Sequence, residues 1–399
     1  MPNVKKVMMG AAGAAGGVSK NLFVWGANHK GGLGLGNTTN LSSPVQLGAA
    51  GDWDRGVICG RGHSLLLKPN GTMWSCGRND NGELGLGDTT NRSSPVQIGS
   101  LDTWNVLATA YQSNGGFDQA ASAAIKTDGT LWVWGHNDRG RLGTGNTTNY
   151  SSPVQVGALT NWKKVSMGRS WTLALKTDGT IWSWGSNYQL RLGQSNSTVT
   201  FTVSSPVQIG SLTTWIDIAA GGENGAAIRS DGKTYAWGQG YFKATGQGGT
   251  VINQSSPVLV GGGFSFTSLS AGAFSFMGRQ ANGSIFSWGR GAGGGLGTGS
   301  TANDGTPSQI GALTDWRSFN NTDSDGNYLE TNQSQDHGGP TSVTVTKSDG
   351  TLWSWGKNSF GQLGLGNTTD YSSPVQVGSS TKWLFAYSGY ACGNAFEEA

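Results

Sequence analysis

The chain has 399 residues, long enough for two or three ordinary domains. Its 68 glycines are more than twice the usual share, and its charged fraction of 12% is about half of the norm, a composition that points away from helices and toward an all-β chain. The formal charge of +3, with no block of Lys or Arg, argues against the concentrated positive field that nucleic-acid binding needs.

Residues 1–18 read as a flexible small-residue arm in which Val4, Lys5, Lys6, Val7, Met8 and Met9 precede an Ala/Gly tract. Two lysines ahead of a mildly apolar stretch imitate a secretion signal, but the glycines make a poor apolar region. Those six residues are assigned instead to anchoring the domain. A strand follows at 20–26, Lys-Asn-Leu-Phe-Val-Trp-Gly. The Gly-x-Gly-x-Gly string at 32–36 superficially matches a phosphate-cradling loop. It leads into Asn-Thr-Thr rather than a helix, so it lacks the helix N-terminus such a site requires. The sequons at Asn37, Asn146 and Asn367 read as turn residues.

Next comes Ser-Ser-Pro-Val-Gln, which recurs with its proline at Pro44, Pro95, Pro153, Pro206, Pro257 and Pro374, while a variant supplies Pro307. Nine residues after these prolines stand Trp53, Trp104, Trp162, Trp215, Phe266, Trp316 and Trp383. A parallel series of Trp-Gly falls at Trp25, Trp134, Trp184, Trp237, Trp288 and Trp355, with Cys76 as its one departure. Seven copies of one unit are therefore present.

Within the copy at 162–209, strands are expected at 163–168, 172–176 and 180–184. Asp178-Gly179 joins the last two as a hairpin link expected to hold both residues at positive φ. The fourth strand starts on proline, which lacks a ladder donor and belongs on an outer edge. Leu131-Trp132-Val133-Trp134 is apolar on both faces, so each sheet must be sandwiched between neighbours. Stacked around an axis, such sheets give a seven-bladed β-propeller of four-stranded antiparallel blades.

Of 17 tryptophans, only Trp171 falls outside the repeating slots. The indoles therefore read as blade-to-blade packing, with base or sugar stacking the minor alternative. Cys59, Cys76 and Cys392 read as buried small residues. The last copy, 383–399, holds only two strands, so the C-terminal strand is predicted to pair with residues 20–25 and close the ring inside one blade. The propeller accordingly takes 19–399. No apolar run approaches the roughly 20 residues that cross a bilayer, and membrane insertion is not expected.

Three segments, at 361–369 (Gly-Gln-Leu-Gly-Leu-Gly-Asn-Thr-Thr), 372–378 (Ser-Ser-Pro-Val-Gln-Val-Gly) and 176–185 (Lys-Thr-Asp-Gly-Thr-Ile-Trp-Ser-Trp-Gly), resemble the regulator of chromosome condensation repeat family. In style they are similar to its bacterial and phage members. The resemblance covers about 19–399 and implies the seven-bladed propeller. It also implies a range of functions, among them guanine-nucleotide exchange on chromatin, ubiquitin-ligase modules and secreted β-lactamase inhibition. The family's histidine stands here as His63 alone; Trp171, Asn224 and, approximately, Phe274 occupy its equivalents, which argues against exchange activity.

Asp323-Ser-Asp325-Gly-Asn327 looks like the start of a calcium loop, but its glycine is misplaced and no acid stands at the twelfth position. His29, His63, His136 and His337 share no slot that pairs them with a nucleophile. No catalytic residue, metal or cofactor is therefore assigned. Departures from the repeat carry the functional reading instead. Trp104 and Trp134 are 30 positions apart and Trp316 and Trp355 are 39, against 22 between Trp162 and Trp184. These insertions, with a third at 195–203, emerge on one side of the disc. Tyr111, Phe117, Phe201, Tyr241, Phe242 and Tyr328 are its candidate partner-binding residues.

The expected function is a non-enzymatic protein-interaction scaffold, a structural or decorating component of a phage virion or bacterial surface assembly. The alternatives are an exchange factor for a small GTPase and a secreted enzyme inhibitor. Partners are expected to be proteins, not nucleic acid. The expected location is a virion or extracellular assembly, with the cytoplasm as the alternative.

Overall fold

The computed structural model describes residues 19–53, 55–59, 62–110, 120–195, 202–249, 252–317, 321–322, 328–329, 342–389 and 391–399. The arm at 1–18, with its six anchoring residues, lies outside them. All of the sheets are antiparallel: six have four strands and follow one another as blades around an axis, and a seventh blade shows three. Blade one covers 55–97, blade two 104–155, blade three 162–208, blade four 215–259, blade five 268–309 and blade six 316–376. In blade six the described strands are Ser342–Thr346, Leu352–Gly356 and Tyr371–Gln376, and Trp316 bridges to Lys347 where the first strand begins.

The closing blade joins the two ends of the chain. Lys20–Gly26 pairs with Cys392–Glu398, from Lys20 opposite Glu398 to Gly26 opposite Cys392. On its other side the C-terminal strand pairs with Trp383–Ser388. The predicted closure is thus present, and no sheet edge is left open at the seam.

Stability is lodged between blades. Among the described residues, seven apolar clusters each straddle one boundary, the last two lying on either side of the closing blade. Every Trp-Gly tryptophan is fully buried. Its indole N–H reaches back to the preceding blade: Trp184 Nε1 donates to the Arg141 carbonyl at 2.8 Å and Trp134 Nε1 to that of Glu83 at 2.9 Å. Burying one such ring contributes up to about 5 kcal/mol by area.

The glycine string is the seat for that ring. A Cβ on Gly143 would lie 2.6 Å from Trp184 Nε1, so the string makes room for an indole rather than a phosphate. Where Cys76 replaces tryptophan, its sulfur lies 3.6 Å from the equivalent carbonyl, that of Gly32.

The hairpin turns depart from expectation. Only glycine takes positive φ in them, as at Gly179 (φ 77°), and Asp178 does not. Gly179 N–H donates to Lys176 O at 3.0 Å, so a four-residue turn closes first and glycine follows as the left-handed residue. Aspartate is there for its side chain. Asp178 Oδ1 accepts from Thr180 N and Oγ1 at 2.9 and 2.7 Å, Trp182 Nε1 donates to Thr180 Oγ1 at 2.8 Å, and Lys176 Nζ sits 3.7 Å above the Trp182 ring. Equivalent chains run through Asp128, Thr130 and Trp132, and through Asp349, Thr351 and Trp353.

Candidate partner-binding face

Antiparallel pairing puts the connections between first and second strands, and between third and fourth, on one side of the disc, here called the loop face. In a regular blade the longer connection is nailed by one buried asparagine. In blade two, Asn137 N donates to Asn149 Oδ1 at 2.7 Å, and Asn137 Oδ1 accepts from Leu142 N at 2.9 Å. Gly140 then turns the chain at φ 67°.

Blades three and four keep that turn without glycine. Tyr188–Leu190 and Tyr241–Lys243 are short 3-10 turns in which Gln189 (φ 60°), Leu190 (φ 65°), Phe242 (φ 61°) and Lys243 (φ 64°) all lie in the left-handed region. Each non-glycine residue held there costs on the order of 1 kcal/mol. The turns lift Tyr188 and Tyr241 outward, to 53% and 61% exposure. Asn253 Nδ2 of blade four donates to Gln189 Oε1 of blade three at 2.6 Å, which ties the two together.

Behind Tyr241, aromatic rings form a floor. Tyr241 and Phe242 meet edge to face at 4.4 Å, Phe242 lies 5.0 Å from Phe274, and the Arg290 guanidinium sits 4.6 Å over the Phe242 ring. Beside Tyr188 stands an ionic cluster. Glu223, almost wholly buried, lies 2.7 Å from Arg191 Nη1 and 3.2 Å from Arg169 Nη1. Burial pushes the Glu223 carboxyl up and the Arg191 guanidinium down, while their mutual attraction pulls each back. Arg141 is also buried, which lowers it to about 10. It donates to Asp138 Oδ1 at 2.8 Å and to the Arg169 carbonyl at 2.9 Å. Burial alone would raise Asp138; the His136 hydrogen bond and Arg141 outweigh it and hold the carboxyl at about 2.

Of the residues assigned from sequence, the structure brings Tyr241 and Phe242 together on this face. Tyr328 belongs to a short ladder, Tyr328–Leu329 paired with Asn321–Thr322, of which only the backbone is described. Tyr111, Phe117 and Phe201 lie outside the described residues, as does the acidic stretch 323–327. Sequence reading missed Tyr188, Arg290 and the ionic cluster. The first had a legible signal, because Leu190 stands where five of the six other copies have glycine, at Gly31, Gly82, Gly140, Gly294 and Gly361.

Histidine pairing also differs from expectation. His63 Nε2 lies 3.0 Å from Ser122 Oγ, across the boundary between blades one and two. Both residues are closed off from solvent, and burial, followed by the nearby Arg78, lowers His63 to about 4. A nucleophile no substrate can reach does no chemistry, so the pair is a strut. Trp171 fills the same slot in blade three and donates to the carbonyls of Gly221 and Gly222 at 3.1 and 3.2 Å. The slot in blade five belongs to Ser275, which pairs with Gly289 as His63 pairs with Gly77, rather than to Phe274. Among the described residues no group of His, Cys, Asp or Glu is arranged to hold a metal, and no helix is long and apolar enough to cross a membrane.

Seven blades packed through repeated indoles, with irregular loops gathered on one face, define a propeller that serves as a scaffold for protein interaction. The Regulator of chromosome condensation (RCC1) repeat matches residues 21–67, 70–110, 128–175, 178–228, 282–319 and 349–396. The chain belongs to that repeat family. The unmatched stretches include 229–281, which holds Tyr241, Phe242 and Phe274.

The chain is 31% identical to the ultraviolet-B receptor UVR8 of Arabidopsis thaliana over 324 residues, covering 80% of this chain and 69% of that one. It is 33% identical to the human X-linked retinitis pigmentosa GTPase regulator over 139 residues, but spans only 13% of that protein's length. Prp20p from Saccharomyces cerevisiae, whose structure was solved with a study of its binding to Gsp1p and histones, superposes with a TM-score of 0.74 at 18% identity over 95% of this chain and 92% of that one. Human WBSCR16 superposes at 0.75 with 19% identity over 95% and 99%. Both structures establish the fold alone. These relatives are plant, animal and yeast proteins, so the bacterial or phage style read from the sequence finds no counterpart among them.

Proposed function

We propose that the protein docks a protein partner on the loop face of blades three to five. The observation that carries this reading is the pair of glycine-free left-handed turns, which hold Tyr188 and Tyr241 out of the disc at a cost in backbone strain. Strain of that kind persists where the surrounding structure over-determines it, and it gathers at binding sites. Exposed tyrosines beside arginines are the side chains that most often dominate interface energies. The test is capture of a partner by the native chain, by a Tyr188→Ala/Tyr241→Ala variant and by a Leu159→Ser control on the opposite side. Loss in the first variant alone supports the reading; equal capture by all three removes it.

Between the finer readings, guanine-nucleotide exchange on a small GTPase has more support than a phage-virion or bacterial surface component. One relative is named a GTPase regulator, and the other reading rests on sequence style only. Faster release of a fluorescent nucleotide from a small GTPase upon adding the chain supports exchange. An unchanged rate across a panel of such GTPases counts against it.

A further inference from the structure

Two departures from the repeat meet across the blade boundaries. The first is the glycine-free turn, in which Gln189 and Leu190, then Phe242 and Lys243, take φ between 60° and 65°. Blade five makes the same two-residue left-handed turn with Gly293 (φ 67°) and Gly294 (φ 78°), where no side chain opposes it. The second is the residue just ahead of the second strand in the following blade, whose carbonyl accepts from the backbone N–H at the end of the third strand. Among the described residues it is small at Gly62, Ala120, Ser170 and Ala391, but it is Glu223 in blade four and Phe274 in blade five. The small residues follow blades that turn on glycine; Glu223 and Phe274 follow the two that do not. We infer that Glu223 and Phe274 are positioning residues that clamp the strained turns and so hold Tyr188 and Tyr241 out for a partner, an inference that rests on the loop face being the docking face.

The two contacts differ in chemistry but grip the same part of the turn. Arg191 follows Leu190 directly, and its buried guanidinium lies 2.7 Å from a Glu223 carboxylate oxygen while Nη2 donates to Ser186 Oγ at 3.1 Å. One side chain thus ties the residues before and after the turn to blade four, and Asn253 of the same blade adds a hold on Gln189. Blade two supplies the contrast. Arg141 occupies the slot of Arg191 and also reaches the next blade, but it meets the Arg169 carbonyl and Ser170 Oγ there; its carboxylate, Asp138, belongs to its own connection, and its turn is made by Gly140. At the boundary of blades four and five the grip is apolar. Phe274, only 4% exposed, packs 5.0 Å from Phe242, itself one of the left-handed pair. A left-handed pair without glycine persists only where its surroundings over-determine it, and both contacts fall on that pair or beside it.

The experiment is hydrogen exchange on the full chain, read by mass spectrometry on peptides covering 187–193, 240–246 and 291–297. The first two hold the turn-closing bonds from Leu190 N to Asn187 O at 2.9 Å and from Lys243 N to Gly240 O at 3.0 Å; the third, closed from Gly294 N to Gly291 O at 3.0 Å, is the glycine reference. Glu223→Gln is expected to cut protection about tenfold or more at 187–193 only, and Phe274→Ala to do so at 240–246 only. Should Glu223→Gln fail to fold because Arg191 stays buried without its carboxylate, Glu223→Ala/Arg191→Gln carries the same test, since Gln362 and Ala391 already stand in those two slots where blade six meets the closing blade. Adding Gln189→Gly/Leu190→Gly, the residues blade five uses, is expected to return protection at 187–193 to the level of 291–297. Unchanged protection at either turn, loss spread over all three peptides, or no recovery with the glycine pair overturns the inference. Clamped turns together with partner capture that survives Tyr188→Ala/Tyr241→Ala would sink the docking face and leave the clamp; the opposite pair of results would sink the clamp and leave the face.

Discussion

On the hairpin side of the disc, one chain of contacts, aspartate to threonine to indole beneath a lysine, recurs in blades two, three and six, and its hydrogen-bond distances agree within a few tenths of an ångström. On the loop side, blade two turns on Gly140, whereas blade four turns on Lys243 at nearly the same φ, 67° against 64°. The backbone path is preserved while the residue that makes it easy is lost. Regularity on one side is what packing against two neighbours demands; departure on the other is tolerated because those turns face solvent. What the rigid side builds, the irregular side presents.

The largest effect expected from breaking this contrast lies at the seam. Ending the chain after Gly389 removes the strand Cys392–Glu398, leaving Lys20–Gly26 and Trp383–Ser388 without their shared partner. Two apolar clusters lose members with it. The whole propeller should lose its cooperative melting, followed by circular dichroism and tryptophan fluorescence together. Melting confined to a small fraction of the signal would show that the blades do not depend on closure.

Next in size is the buried histidine. Its pKa is about 4 in the fold against the ordinary 6.5 of a solvated histidine, so between those values the unfolded chain takes up a proton that the folded chain refuses. Stability is therefore full above pH 6.5 and falls as pH drops toward 4, by about 3 kcal/mol in total. His63→Asn should flatten that stretch of the stability profile, and an unaltered slope would mean that other groups cause it.

Smaller, and of opposite sign, are substitutions in the matched turns. Gly140→Ala should cost about 1–3 kcal/mol, because its Cβ would stand 2.8 Å from Ser204 Cα at a positive φ. Lys243→Gly should raise stability by up to about 1 kcal/mol. Paired melting curves decide it; a drop with Lys243→Gly would mean that the turn is not strained. Smallest of all, Tyr241→Ala should stay within about 0.5 kcal/mol of the native chain, for its ring is mostly in water. A large loss there would make Tyr241 a packing residue.

The sequence by itself determined the number of blades, the slots of the indoles and the pairing of the two chain ends. Each is a matter of spacing: proline, aromatic and Trp-Gly recur at fixed intervals, and a truncated last copy names the strand it lacks. It also marked Tyr241 and Phe242 as irregular. Only the tertiary structure decided what stands beside them. Arg290 over Phe242, Glu223 between Arg169 and Arg191, and His63 against Ser122 join residues as many as 59 positions apart and on different connections or blades. No local pattern encodes such a meeting, because it exists only once the ring has fixed each blade against the next. The hairpin turns show the same limit in miniature. Asp-Gly told where the chain reverses, but whether aspartate serves by its φ or by its carboxylate depended on the threonine and indole that the folded sheet brings to it.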